Sequence, residues 1–152
     1  MNRLVFLLPL VACLAFAGPP KAKKPKPVKA KVTCSIGEGK DALTLPSKKK
    51  PRLTQAVTCE VLSKDQRLLG GRGLFKTRWT SFNEGKEEKK EGEERSAEPG
   101  SEEGDYYYNF TLDPGRDFEE CSGPIELTFR AVNAEDVTTF ETKLTFEQRC
   151  ED

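Results

Sequence analysis

Polar and apolar residues alternate most regularly near the C-terminus, in two runs separated by a short polar segment. Apolar side chains occupy every second position from Ile125 onwards in the run 125–132, and again around Phe140, Leu144 and Phe146 in the run 137–149. Successive side chains of a strand point to opposite faces, so this period predicts two strands, each with one buried face. The Asn-Ala-Glu-Asp sequence at 133–136 is typical of a turn and predicts an antiparallel hairpin.

Shorter stretches of the same alternation predict further strands along the chain. Clusters of glycine, proline and small polar residues separate these stretches, and no segment has the period of a helix. About seven short strands without a helix predict an all-β fold, an antiparallel two-sheet sandwich that is loosely immunoglobulin-like in its architecture. The five additional strands are expected at 32–36, 42–45, 53–62, 74–82 and 106–112.

One stretch of the predicted sandwich also resembles a known class of domains. The Gly-Asp-Tyr sequence that begins at Gly104 leads into a Tyr-x-Phe-x-Leu strand, which is similar to the late strands of bacterial immunoglobulin-like domains. The cysteine pattern departs from that of antibody domains, because Trp79 lies twenty residues beyond Cys59 instead of following it closely. The resemblance therefore implies the sandwich architecture and no particular family.

The run 83–105 interrupts the alternating pattern with a strongly acidic composition. It contains ten acidic and four basic residues, and Ala97 is its only apolar residue. Such a segment has little apolar surface to bury on ordering, so a disordered acidic loop is expected, inserted between two strands. An alternative is that this loop folds back on the basic part of the same or a neighbouring molecule.

The formal net charge of zero conceals a division between the two parts of the chain. Residues 18–52 have a net charge of +9, and residues 53–152 have a net charge of −10. The segment 18–31 is rich in lysine and proline, which predicts an extended, self-repelling tether. A solvated linker is the favoured interpretation of this segment. If it has a binding role, the expected partner is an unknown protein or an anionic envelope surface. Nucleic acid is not expected, because no aromatic residue lies among these lysines.

The N-terminus predicts export. One arginine, an apolar run and an Ala-x-Ala site form a signal peptide at 1–17, with cleavage between Ala17 and Gly18, followed by the tether 18–31 and a sandwich domain at 32–152. No later stretch is apolar enough to form a transmembrane segment. The expected location is therefore secreted or periplasmic. A second hypothesis is a bacterial lipoprotein anchored through Cys13, because the Leu-Val-Ala-Cys sequence at 10–13 resembles a lipobox.

Four further cysteines lie in the part of the chain that follows the signal peptide. In an oxidising compartment, Cys34, Cys59, Cys121 and Cys150 predict two disulfides. Three pairings are possible, and the sequence-local combination of Cys34–Cys59 with Cys121–Cys150 is favoured. A zinc site is disfavoured, because the chain has no Cys-x-x-Cys motif and no histidine.

The absence of histidine also removes the usual general base and the usual activated-nucleophile pairs. No catalytic, cofactor-binding or metal-binding residue is therefore assigned, and an enzyme is not expected. Asp117, Glu119 and Glu120 form an acidic cluster interpreted as a solvated turn. The leading hypothesis is an exported, non-catalytic interaction or structural module of unknown ligand. The alternative is a secreted inhibitor or ligand-binding module that acts through the loops 63–73 and 113–124.

Overall fold

The computed structural model describes Gly18 and residues 23–150, and the all-β sandwich that the sequence predicts is confirmed. The predicted signal peptide 1–17, with Cys13 and Ala17, lies outside the described residues. Two short 3₁₀ helices, Gly39–Asp41 and Gln66–Leu69, lie in the loops. The strands are β1 Lys31–Ile36, β2 Leu43–Leu45, β3 Val57–Ser63, β4 Gly71–Asn83, β5 Lys86–Glu91, β6 Arg95–Ser96, β7 Glu98–Glu102, β8 Asp105–Leu112, β9 Ile125–Asn133 and β10 Thr138–Phe146.

The strands form two antiparallel sheets. Sheet A has the order β2-β1-β3-β8-β7, and sheet B has the order β10-β9-β4-β5, with β6 also paired to β4. This strand order corresponds to that of the immunoglobulin sandwich. In sheet A, β1, β3, β8 and β7 take the places of strands A, B, E and D. In sheet B, β5, β4, β9 and β10 take the places of strands C′, C, F and G. The disulfide differs, because Cys34 and Cys59 lie opposite each other within sheet A, whereas the antibody bridge joins the two sheets.

The alternating residues of both sheets meet in one aromatic core. The ring of Phe110 in sheet A stacks with Phe75 and with Phe129 of sheet B, with centroid distances of 4.4 and 5.6 Å. Phe129 and the bridged Cys34 and Cys59 are fully buried. Stacked aromatic pairs add about 1 kcal/mol each beyond the burial of their area, which helps to hold the sheets face to face.

All seven predicted strands are present, although β3 begins later than predicted and β10 ends earlier. The three additional strands, β5, β6 and β7, all lie in the acidic segment, so the prediction of a disordered loop at 83–105 is wrong. Backbone pairing explains the difference: Gly92 N–H donates to the Thr77 carbonyl at 2.9 Å, and Ala97 N–H donates to the Gly73 carbonyl at 2.8 Å. The segment thus follows the edge of β4 and then crosses to sheet A, where β7 pairs with β8.

Candidate interaction surfaces

The second half of the lysine-rich tether lies against the sandwich. Val28 is 4% exposed, and its N–H donates to the carbonyl of Thr139 at 2.9 Å, at the start of β10. The Ser63 hydroxyl, at the end of β3, donates to the carbonyl of Lys29 at 2.6 Å. Two separate elements of the sandwich therefore fix the backbone of the tether while its lysine side chains remain exposed.

A third contact comes from the loop between β3 and β4. The Asp65 carboxylate caps the 3₁₀ helix by accepting from the Arg67 N–H at 3.0 Å, and it also accepts three hydrogen bonds from the Arg67 guanidinium. The same guanidinium donates to the Lys26 carbonyl at 3.3 Å. Hydrogen bonding to Arg67 lowers the pKa of Asp65, so this carboxylate stays ionised and holds the guanidinium in place.

These contacts create a basic groove at one end of the molecule, which we call the basic pole. The groove has a volume of about 510 Å³ between the tether and the loop. Among the described residues that line it, four are basic and one, Asp65, is acidic. Lys64 at its rim also forms an ion pair with Asp105 at 2.5 Å. The lining residues are Lys26, Pro27, Lys29, Ser63, Lys64, Asp65, Gln66 and Arg67.

The loop 113–124 at the opposite end is held by buried polar contacts. Asp117 is 1% exposed and forms an ion pair with Arg95, so the interpretation of Asp117 as part of a solvated turn is wrong. Burial raises the pKa of Asp117, while the N–H of Asp113 and the charge of Arg95 act in the opposite direction. The Thr77 hydroxyl donates to the Asp117 carbonyl at 2.5 Å and attaches the loop to β4.

Glu119, in the same loop, joins it to sheet B. It accepts hydrogen bonds from Lys90 of β5 and Ser81 of β4, both at 2.6 Å. These two bonds lower the pKa of Glu119, and the bond with Glu119 raises the pKa of Lys90. Glu120 lies nearer to solvent and forms an ion pair with Arg52 at 3.0 Å. The three acids of the predicted cluster therefore face three different basic partners.

The outer face of sheet B provides a second concave surface. A groove of about 400 Å³ lies on this face, and the exposed ring of Phe82, 57% accessible, lies at the same end of β4. Three basic and two acidic residues line the groove, and some of these charges are paired within the fold, because Glu91 forms ion pairs with Lys76 and Arg78. The residues that line the groove are Arg78, Trp79, Thr80, Lys89, Lys90, Glu91, Pro124, Glu126 and Thr145.

The structure brings the predicted cysteine pairs together to different extents. The Cys34–Cys59 disulfide is present and confirms that part of the prediction. The Cys121 thiol lies 3.7 Å from the carbonyl oxygen of Cys150, and the bridge between these two residues stays a prediction. Among residues 23–150, no group of three or more potential ligands could hold a metal ion.

The docking of the tether is the feature that sequence reasoning missed. The local signal for it is weak: Val28 is the only branched apolar residue among the lysines and prolines of 18–31. Its partner Thr139 lies more than a hundred residues away, and no short-range pattern connects the two. The loop 63–73 was predicted as a candidate binding loop, and its residues Ser63 to Arg67 line the basic pole.

No protein-family model matches this chain, and the comparison with curated proteins gives no significant match. No helix within the described ranges is long and apolar enough to span a membrane. Function is therefore inferred from the residues and their geometry.

Proposed function

We propose that this protein is an exported, non-catalytic binding module that attaches to an anionic surface of the cell envelope through its basic pole. The observation that carries the proposal is the docking of the tether backbone by Val28, Ser63 and Arg67. This docking places the side chains of Lys26 and Lys29 beside Lys64 on one side of the molecule.

Clustering of the lysines favours binding to an extended anionic surface. A cationic side chain near a negatively charged membrane contributes about 1 kcal/mol, and the contributions of several such residues add. A fixed backbone also reduces the conformational entropy that a free tether would lose on binding. The attraction is electrostatic and at the surface, so it weakens as salt concentration rises.

Two further features support the exported and non-catalytic parts of the proposal. A buried disulfide is typical of oxidising compartments, which agrees with the predicted cleavage between Ala17 and Gly18. Asp117 and Glu119 are the two acids that come closest to forming a catalytic pair, but each forms an ion pair with a basic side chain within the fold. Intact mass spectrometry of protein from its native host distinguishes a chain that begins at Gly18 from one acylated at Cys13.

The decisive experiment measures binding of the processed protein to vesicles. Vesicles of phosphatidylcholine with phosphatidylglycerol are compared with phosphatidylcholine alone, at low and high ionic strength. The variant K26Q/K29Q/K64Q removes three lysines of the basic pole, and the matched control K40Q/K48Q/K49Q removes three exposed lysines elsewhere. The docking contacts use the backbone carbonyls of Lys26 and Lys29, so these substitutions leave them intact.

We expect salt-sensitive binding to the anionic vesicles, reduced about a hundredfold in the pole variant and less than tenfold in the control. Equal losses in the two variants would show that net charge alone governs binding and would overturn the role of the pole. Equal binding to both kinds of vesicle, or no binding to either, would overturn the proposal that the protein attaches to an anionic surface.

A second candidate function is a protease inhibitor that acts through the loop 113–124. Inhibitory loops bind tightly when they are fixed before binding, and the contacts of Asp117 and Glu119 hold this loop against sheet B. An inhibition panel with the processed protein tests this candidate. Inhibition that is lost after substitutions in 113–124, with vesicle binding absent, would favour it over the anionic-surface module.

A further inference from the structure

Strand β10 forms a long free edge of the sandwich. Among the described residues it pairs only with β9, and it has nine residues, whereas the edge strand β2 of sheet A has three. Of the other two edge strands, β5 has only charged residues and β7 contains Pro99. Both features discourage pairing with another strand. Among the described edges, β10 is therefore the one best suited to accept a further strand.

Contacts with the rest of the chain limit the open part of this edge. At its start, the Thr139 carbonyl accepts from the Val28 N–H. Beyond its end, the Arg149 N–H donates to the carbonyl of Pro51 at 3.0 Å. Within the described residues, the backbone edge between these two contacts, 140–146, has no strand beside it. Its length suits a short added strand.

The side chains along this open edge divide between the two faces. Glu141 and Lys143 point outward and are exposed, and neither forms an ion pair within the described part of the chain. The cross-strand neighbour of Glu141 is Arg130, which is bound instead to Glu94. Phe140 and Leu144 point inward and are only partly buried at the margin of the core.

Two copies of this edge are complementary when they run antiparallel about Thr142. Glu141 then lies opposite Lys143 of the second copy, and Lys143 lies opposite Glu141 of that copy. Phe140 and Leu144 pair in the same way on the inner face. Opposite charges and apolar pairs at directly opposed positions each stabilise a sheet by about 0.2–1 kcal/mol.

Neighbouring registers are less favourable. Centring the pairing on Glu141 or on Lys143 would place like charges opposite each other. Strand β5 lacks such a solution, because centring on Glu88 opposes two lysines and centring on Lys89 opposes two glutamates. The charge pattern of β10 therefore specifies one register as well as one partner.

We propose that β10 pairs antiparallel with β10 of a second copy of this chain. Sheet B of the two copies then becomes one continuous sheet, and the interface is the same patch on both subunits, as a twofold dimer requires. The occupant of the edge is thus another molecule of the same protein. This inference is independent of the proposed function, because none of the residues 140–144 lines the basic pole.

Reversing the charges of Glu141 and Lys143 tests the proposed pairing. Sedimentation over a concentration series compares the wild-type protein with E141K, K143E and the double variant E141K/K143E. Each single substitution opposes like charges in two symmetry-related pairs, so we expect the dimer dissociation constant to rise about tenfold. The double variant restores opposite charges in both pairs and should dimerise as the wild type does.

Both substituted side chains are exposed, so all four proteins should fold, and circular dichroism with thermal unfolding checks this. A wild-type protein that stays monomeric throughout the concentration series would overturn the proposal. Single variants that dimerise as strongly as the wild type, or a double variant that stays as weak as the single ones, would overturn the proposed register. Recovery in the double variant alone supports it.

Discussion

Arg95 forms an ion pair with Asp117 in the interior of the sandwich, where their side chains are 18% and 2% exposed. Arg95 begins β6, the point at which the acidic segment leaves sheet B, and Asp117 lies in the loop that connects β8 to β9. The guanidinium also lies 4.7 Å from the centroid of the Phe75 ring and donates to the Thr111 carbonyl. This pair therefore fixes the crossing segment and the 113–124 loop to the same place in the core.

The Asp117→Asn substitution should be strongly destabilising. It would remove the carboxylate that contacts the Arg95 guanidinium most closely and leave the more distant carboxylate of Asp113, at 3.9 Å, so the cost should be about 3 kcal/mol. The matched control is D136N, because Arg72–Asp136 is also an Arg–Asp pair but its side chains are 61% and 73% exposed. The control should cost less than about 1 kcal/mol. Denaturant unfolding measures both, and equal losses would contradict the structural role of the buried pair.

The contacts of Glu119 predict a pH dependence of stability. Hydrogen bonds from Lys90 and Ser81 lower its pKa in the folded state below the ordinary value of 4.5. The folded state then binds the proton less readily than the unfolded state does, so the stabilisation is present above about pH 4.5 and disappears as pH falls through the lowered pKa.

The raised pKa of Asp117 acts in the opposite direction, because it favours the folded state at lower pH. The effect of Glu119 is therefore measured as the difference between the wild type and E119Q in urea unfolding at several pH values. We expect this difference to shrink on acidification. K90Q removes the largest cause of the lowered pKa of Glu119, so it should lose less stability on acidification. A difference between the wild type and E119Q that is the same at every pH would contradict the lowered pKa.

The sequence predicted strands well where one face of the strand is buried. The alternation around Ile125 and Phe146 follows directly from the core, so β9 and β10 were predicted together with their hairpin. In β5 and β7, both faces carry polar residues, and pairing depends on the open edges of β4 and β8. A strand that is polar on both faces leaves no alternation of apolar residues in the sequence, even though β4 and β8 are the neighbours of β5 and β7 along the chain.

The candidate surface shows the same limit. The lysines of 18–31 and the loop 63–73 could be recognised individually from their composition. Their meeting depends on single hydrogen bonds, such as that from the Ser63 hydroxyl to the Lys29 carbonyl. Backbone carbonyls occur in every residue, so no residue type in the tether identifies them as acceptors.

The order of the acidic segment can be tested by amide hydrogen exchange. The N–H groups of Gly92 and Ala97 donate to carbonyls of β4 and should be protected. The N–H of Glu93, in the gap between β5 and β6, should exchange faster. Exchange of all three at the rate of an unstructured peptide would show that the segment is disordered in solution.

The two predicted disulfides should be distinguishable by mass spectrometry and by stability. Non-reducing peptide mapping should recover the peptides of Cys34 and Cys59 linked together, and C34A/C59A should lose about 3 kcal/mol because the bridge closes a loop of 25 residues. We also expect the peptides of Cys121 and Cys150 to be linked in exported protein. A mass only two hydrogens below that of the reduced chain would contradict the second bridge.

The two proposals together predict a property that neither gives alone. Each tether meets the sandwich where Val28 donates to Thr139, at the start of β10. Antiparallel strands run in opposite directions, so a β10–β10 dimer would carry its two basic poles at opposite ends of the shared sheet. Such a dimer would present a binding surface to each of two membranes.

We therefore expect the wild-type protein to cluster vesicles that contain phosphatidylglycerol, measured as turbidity. E141K should bind the same vesicles without clustering them, because its basic pole is intact but its edge pairing is weakened. The double variant E141K/K143E should recover clustering. Vesicles of phosphatidylcholine alone are the control and should stay dispersed. Clustering by E141K as strong as that of the wild type would show that the two poles do not lie at opposite ends of a β10-paired dimer.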